Sequence, residues 1–282
     1  MSAFPVWLFP FPALNFLMIL FLRFIFAIFM LLPALAADTL KIAACDAAVI
    51  GDLGDIYTLN RETRTLYRYR GDRELNRFSE SGFGKSVNLQ DPRQPLAPEA
   101  DKILLLDAAQ NRLISWDRFL NLHSLTALPE AIVSAREFAV NTEYDWLIYD
   151  AFQQEIFQIR PGERFLQRWG DRSVAGELRI YKLSGNILLF LKDRAVLRFC
   201  DPNGKTLDEF LLPDIPDIRE LIPLNLQSSG LVCGDGVYIW EPRSGNCRFL
   251  SDLRDVIYIR LDKNRYTLIN RHGTIVILPL SS

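Results

Sequence analysis

Lys102-Ile103-Leu104-Leu105-Leu106-Asp107-Ala108-Ala109-Gln110-Asn111-Arg112-Leu113-Ile114-Ser115-Trp116-Asp117 is the stretch whose reading decides the fold. It holds an apolar strand, an Asp, a short polar turn, an Asn-Arg pair and a second strand, which together predict a β-hairpin. Weaker copies recur along the chain as Ile56–Asn60, Trp146–Asp150, Ile187–Leu191, Leu231–Asp235 and Tyr266–Asn270. Their first residues lie 35 to 47 positions apart. A period near 40 with four short strands per unit is the pattern of a β-propeller blade, and six copies predict six blades.

Each unit divides into four strands, A innermost to D outermost. In the third, Glu137–Asn141 reads as A, Asp145–Asp150 as B, Glu155–Arg160 as C and Arg164–Trp169 as D. Turn signals separate C from D at Arg70-Gly71-Asp72, Pro161-Gly162 and Asp201-Pro202-Asn203-Gly204. No segment after Ala37 carries a sustained helical period with caps, so the expected class is all-β. The sixth unit supplies only three strands before the chain ends. Thr39–Ala44 is the expected fourth, pairing with the last blade so that the ring closes without an open edge.

Asp107-Ala108-Ala109-Gln110-Asn111-Arg112-Leu113 resembles the NHL repeat, whose B–C hairpin carries an Asp followed by Asn-Arg-Ile. The other units keep an Asp or Asn (Asn60, Asp150, Asp235, Asn270) but mostly lack the Asn-Arg, and the basic slot is filled by Arg64, Arg112 and Arg194. The resemblance implies a six-bladed propeller and names no activity, since propellers host many. NHL-type lyases are similar in fold and use a His-rich metal site. A chain with only His123 and His272 cannot assemble one.

Residues 1–36 are a different material, with Arg23 as their only charge. Arg23, the apolar run Ile25–Leu32 and the small residues Ala34 and Ala36 follow the plan of a signal peptide, with cleavage expected before Ala37. Translation from Met18 would give a conventional export signal. An uncleaved hydrophobic leader helix acting as an anchor, or a lipid on Cys45, are the alternatives. The expected organisation is a leader over 1–36 and the propeller over 37–282, with the mature chain periplasmic or extracellular and touching a membrane only through an uncleaved leader. Without Arg23, 31 bases face 34 acids among the remaining residues, a net of −3 with no basic run, which excludes a nucleic-acid partner. Cys45, Cys200, Cys233 and Cys247 are expected as unpaired thiols, mostly buried. Cys233 and Cys247 fall two strands apart, roughly 9–10 Å, beyond the ~7 Å a disulfide spans.

The Asp or Asn ending each B strand is expected to shape its own turn. Asp52 and Asp55, and Asp214, Asp217 and Glu220, are loop carboxylates that calcium could use, although a solvated loop is the simpler reading. Gly82-Phe83-Gly84-Lys85-Ser86 echoes a phosphate loop without its spacing. Arg61, Arg64, Arg112, Arg194 and Arg271 fall in B–C hairpins, where a shared rim would be basic and could meet an acidic protein or a glycan. No cofactor is implied. The sequence therefore favours a non-catalytic binding or scaffold propeller. A calcium-dependent hydrolase or lactonase, and a structural subunit of an envelope assembly, are the competing readings.

Overall fold

The computed structural model describes residues 38–78, 87–99, 101–162, 166–170 and 174–280. The leader and the Gly82–Ser86 stretch lie outside them. The described chain forms six four-stranded antiparallel sheets, five of them paired in the order of their sequence and the sixth completed from the far end of the chain. Blade one is β2 (Ala47–Ile50), β3 (Ile56–Asn60), β4 (Thr65–Arg70) and β5 (Arg73–Phe78). Blade two is β6 (Leu96–Glu99), β7 (Lys102–Asp107), β8 (Arg112–Asp117) and β9 (Leu122–Ala127), and blade three is β10 (Ala135–Val140), β11 (Trp146–Asp150), β12 (Glu155–Ile159) and β13 (Leu166–Trp169). Blade four is β14 (Leu178–Leu183), β15 (Asn186–Leu191), β16 (Val196–Cys200) and β17 (Thr206–Leu211). Blade five is β18 (Ile218–Pro223), β19 (Ser229–Cys233), β20 (Val237–Trp240) and β21 (Cys247–Ser251). The only helical elements among the described residues are two 3₁₀ turns, Ala108–Gln110 and Lys192–Arg194.

Blade six is β22 (Val256–Asp262), β23 (Arg265–Asn270), β24 (Thr274–Pro279) and, from the far end of the chain, β1 (Asp38–Lys41). β1 runs antiparallel to β24 from Asp38 opposite Ile277 to Lys41 opposite Thr274. The chain then continues in contact, with the Ile42 N–H donating to the Gly273 carbonyl at 2.8 Å and the Cys45 N–H to the Arg271 carbonyl at 2.9 Å. The closure expected from the short sixth unit is therefore the one the chain adopts. It has a physical consequence, because the first and last blades cannot separate without breaking a sheet.

The core consists of six apolar clusters, each shared by two consecutive blades, with the last joining blade six to blade one. The B strands explain this. Along β7, Ile103 and Leu105 pack toward blade one, whereas Leu104 and Leu106 pack toward blade three. A strand buried on both faces has no polar side, so β7, β11 and β19 are buried at nearly every position. Outer strands have one free edge and read as alternating or polar, as in the Thr206–Leu211 strand.

Polar interactions fix the turns. Asp55, just before β3, is buried and accepts two hydrogen bonds from Arg68, at 2.9 Å from Nε and 2.5 Å from Nη2, and one from Arg70 at 2.9 Å. Asp145 repeats the device in blade three, accepting from Gln158 at 2.6 Å and Arg160 at 3.3 Å. Asp55 is thus consumed by arginines rather than open to calcium. Burial alone would raise its carboxyl, but the hydrogen bonds and charges of Arg68 and Arg70 hold it below the ordinary carboxylate value. The four thiols are unbridged; Cys45, Cys200 and Cys233 are buried and Cys247 is exposed. Burial, with Asp46 alongside, pushes Cys45 up to about 12, and burial with Asp235 pushes Cys233 up to about 11, which suits inert core thiols.

Two outcomes follow from this frame. Gly273 has φ +73°, and a Cβ there would stand 2.2 Å from the Ile42 carbonyl oxygen. Gly273→Ala should therefore destabilise by about 1–3 kcal/mol or more. Gly71→Ala, at φ +62° with open space around it, carries only the conformational cost and serves as the control in thermal melts. Asp55→Asn, by stripping the carboxylate from the buried Arg68, should cost about 3–5 kcal/mol. Because Asp55 has a lowered folded pKa, its stabilisation is present above the unfolded carboxylate range and is lost as pH falls through the folded value. Acid melts of wild type should show that loss, and melts of Asp55→Asn should not.

Candidate functional site

The six inner strands surround a central cavity of about 650 Å³, with Val49, Leu96, Ala139, Ile180, Ile222 and Ile257 among its walls. Charged side chains gather within it. Arg179 on β14 reaches sideways to both neighbouring blades. Its Nη1 donates to Glu137 Oε1 on β10, and its Nε and Nη2 both reach Glu220 Oε2 on β18 at 3.1 Å. Tyr181, two residues along the same strand, places its hydroxyl 3.1 Å from Glu220 Oε1 and also against the Leu221 carbonyl.

The repeat explains why these groups meet. Glu137, Arg179 and Glu220 are 42 and 41 residues apart, one blade period each. Each occupies the early part of an inner strand. A local irregularity does the aiming. The pairing of β10 slips between Ala135 and Glu137, that of β18 between Ile218 and Glu220, and that of β22 between Val256 and Tyr258. Such a bulge leaves one residue unpaired and re-aims its neighbours, a device common beside binding sites. The residues it leaves over are Arg136, Arg219 and Ile257.

Two carboxylates share one guanidinium here, so the cluster carries an excess negative charge that burial penalises. Burial pushes the Glu137 carboxyl up to about 7, Arg179 pulls against this, and Glu220 adds to the rise. The Arg179 guanidinium is held more firmly protonated, because Glu137 and Glu220 outweigh its own burial. Tyr181 is raised well above its ordinary value, first by burial and then by Glu220. The side chains are not sealed, since Arg179 remains 32% exposed to the cavity. Among the described residues no group of three or more His, Cys, Asp or Glu is placed to hold a metal. Asp217 is paired with Arg219 at 2.8 Å and Glu220 with Arg179. Of the carboxylates considered for calcium, Asp55, Asp217 and Glu220 are therefore met by arginines, whereas Asp52 and Asp214 stand on the exposed surface.

The five hairpin arginines take different positions. Arg61 and Arg271 line the cavity. Arg112 forks onto Asp107 at 3.1 and 3.3 Å and donates to the Asn88 carbonyl at 2.7 Å, so it ties a turn together. Arg64 reaches the Asn88 side chain at 3.5 Å. Arg194 is exposed at the end of its 3₁₀ turn. Asp107 and Asp150 both reach residues outside their own turns. Asp107 accepts from the Gln90 and Asp91 N–H groups, and Asp150 from Val133 and Ser134, binding the incoming connection from the previous blade. Asp150 also accepts from Phe152 and Gln153 in its own turn, as Asn60 does from Thr63. Asp107 departs from the expectation, since its partners are the incoming strand and Arg112. His272 lies 3.6 Å from Asp255 at the mouth, and both are exposed.

No protein-family model matches the sequence, and no curated protein matches it. The chain is similar in structure to the virginiamycin B lyase of Staphylococcus aureus, determined as an inactive variant with quinupristin, at a TM-score of 0.57 and 10% identity over 87% of this chain and 89% of that one. It is likewise similar to a streptogramin B lyase (TM-score 0.56, 10% identity, 88% of each chain). A protein of unknown function from Bacteroides thetaiotaomicron gives a TM-score of 0.61 at 8% identity, over 86% of this chain and 76% of that one. At these identities the likeness is one of fold, the six-bladed propeller.

The raised Glu137 carboxyl makes a stability prediction. A folded value near 7 exceeds the unfolded carboxylate value of about 4.3, so the folded state holds more protons between the two. Stability should therefore fall as pH rises through that window. Denaturant melts across pH 4.5 to 7 should show a slope that Glu137→Gln flattens; an unchanged slope in the variant would assign the effect elsewhere.

Proposed function

We propose that this chain is an exported, non-catalytic binding module that takes a protein or glycan partner on the face carrying the B–C hairpins. The observation that supports this most is the cavity itself. It is the place where charged side chains from several blades converge in a ring whose inner surfaces are otherwise apolar. The partner surface in this reading is the basic rim of Arg61, Arg64, Arg194 and Arg271, with Arg112 already paired to Asp107, and it suits an acidic partner. The NHL-like hairpin of blade two belongs to the same reading, as a sign of repeat ancestry. Export in this reading rests on residues 1–36 alone, whose sequence follows the plan of a signal peptide and would put the mature protein in the periplasm or outside the cell.

The convergence of Glu137 and Glu220 favours a second reading, a hydrolase acting from channel carboxylates. Arg179 between them weakens a calcium-dependent form of it, since a guanidinium on both carboxylates opposes a second cation. A structural subunit of an envelope assembly would use the same face, without the cavity.

The test is cross-linking in the native envelope followed by identification of what is captured, with the full chain and with an Arg64→Glu/Arg271→Glu double variant. The binding reading expects one partner held by wild type and lost from the variant. Equal capture by both removes the basic rim, and calcium in stoichiometric amount in the purified protein replaces the binding reading with the hydrolase one.

A further inference from the structure

Arg61 stands at the start of the B–C turn of blade one and lines the cavity beside Asp46, Arg179 and Arg271. Among the described residues its guanidinium meets no carboxylate and no carbonyl within hydrogen-bonding distance, and its Nε is buried without a partner. Only its backbone is engaged, the N–H donating to Asp46 Oδ2 at 2.8 Å. The neighbouring charges are already committed. Asp91 accepts from Arg93 at 2.6 Å and lies 3.8 Å from Arg136. Glu137 and Glu220 are both held by Arg179. Arg93, which lies close enough for its charge to act on Arg61, has a buried Nε that also lacks a partner.

This is an unusual arrangement to leave unmatched. A buried donor without an acceptor loses the hydrogen bond it made to water, and the loss is greater when the donor is charged. Burial lowers the Arg61 guanidinium below its ordinary value, Arg93 and Arg179 add to that, and Asp46 and Asp91 oppose it without forming a bond to it. An arginine at such a site remains protonated. It therefore brings a cationic guanidinium to the wall of a cavity large enough for a ligand, with its Nε unpartnered among the described residues.

We infer that the recess around Arg61 is an oxyanion subsite, which receives a carboxylate or phosphate group carried by the ligand of this face. Two parallel N–H donors of a guanidinium match the two oxygens of either group. Within a channel walled by protein the attraction is screened less than on an open surface. Arg271 on the adjacent blade lines the same cavity and adds positive charge. The inference rests on the reading of this face as a binding face and specifies what it reads.

Calorimetric titration of the full chain with inorganic phosphate, and separately with glucuronate, tests it; the two arms separate a phosphate-bearing from a carboxylate-bearing ligand. Saturable binding of at least one is expected, weakened roughly tenfold or more in Arg61→Gln, as loss of a charged hydrogen bond implies. Arg61→Lys should recover only part of it, because the fork is gone while the charge remains. Lys205→Gln, in a C–D turn, should bind as wild type does. Should Arg61→Gln fail to fold, the Arg61 Nε–H resonance of wild type should shift on adding the bound anion. If neither anion saturates, if Arg61→Gln binds as wild type does, or if that resonance does not move, the inference falls. Partner capture from the envelope is read independently. Its loss without loss of anion binding refutes the proposed partner and leaves the subsite, and the converse refutes the subsite alone.

Discussion

Burial of the B strands on both faces is the constraint from which the rest of the structure follows. Ile103 and Leu105 look to one neighbour and Leu104 and Leu106 to the other, so no blade has a finished core of its own. Six such sheets are satisfied only when the last finds the first, and the sixth cluster, containing Ile42, Cys45, Ile269 and Ile275, is that meeting. The pairing of Asp38–Lys41 with Thr274–Ile277 turns an open array into a ring. Arg260 adds to the seam by donating to the Ile50 and Gly51 carbonyls of blade one. A closed ring creates a central channel, where inner-strand residues from all six blades line one space.

What occupies that channel is decided by small departures from regularity. A uniform inner strand would alternate its side chains between the channel and the neighbouring blade. The slips before Glu137, Glu220 and Tyr258 alter that alternation at the same point in three blades. In blade four the pairing is regular, and Arg179 needs no slip to stand between the two acids. The result concentrates charge in a confined, partly wet space, where one guanidinium balances two carboxylates and a further guanidinium has none. The likeness to solved lyases at about 10% identity covers the frame and leaves these channel residues to be read from the chain itself.

The turns show how much a repeat can carry. Asp107 and Asp150 look identical in the sequence, each ending an apolar B strand. Both fasten the connection arriving from the previous blade, but only Asp150 also caps its own turn, while Asp107 is bridged by Arg112. Periodicity reveals that an Asp recurs there. Its partners depend on how the adjacent loop runs, and that is set by contacts distant in sequence. Asp55 is a similar case. As a loop carboxylate beside Gly54 it suggests a cation, and only the approach of Arg68 and Arg70 thirteen and fifteen positions later shows it to be internally neutralised.

The amino-acid sequence by itself determined the number of blades, the strand order within each and the source of the missing outer strand. Those depend on local hydrophobic pattern and turn chemistry, which a one-dimensional repeat records faithfully. It also placed five arginines in hairpins, but it could not say that Arg61 and Arg271 line the cavity while Arg112 is tied to Asp107. The meeting of Glu137, Arg179, Glu220 and Tyr181 was written in the spacing of 41 and 42 residues, since equal phase in a ring means equal height in the channel. It became legible only once closure and the bulges were known, because the direction of a side chain on a strand reverses with a shift of one residue. Architecture here is a property of the pattern, whereas the site is a property of the register.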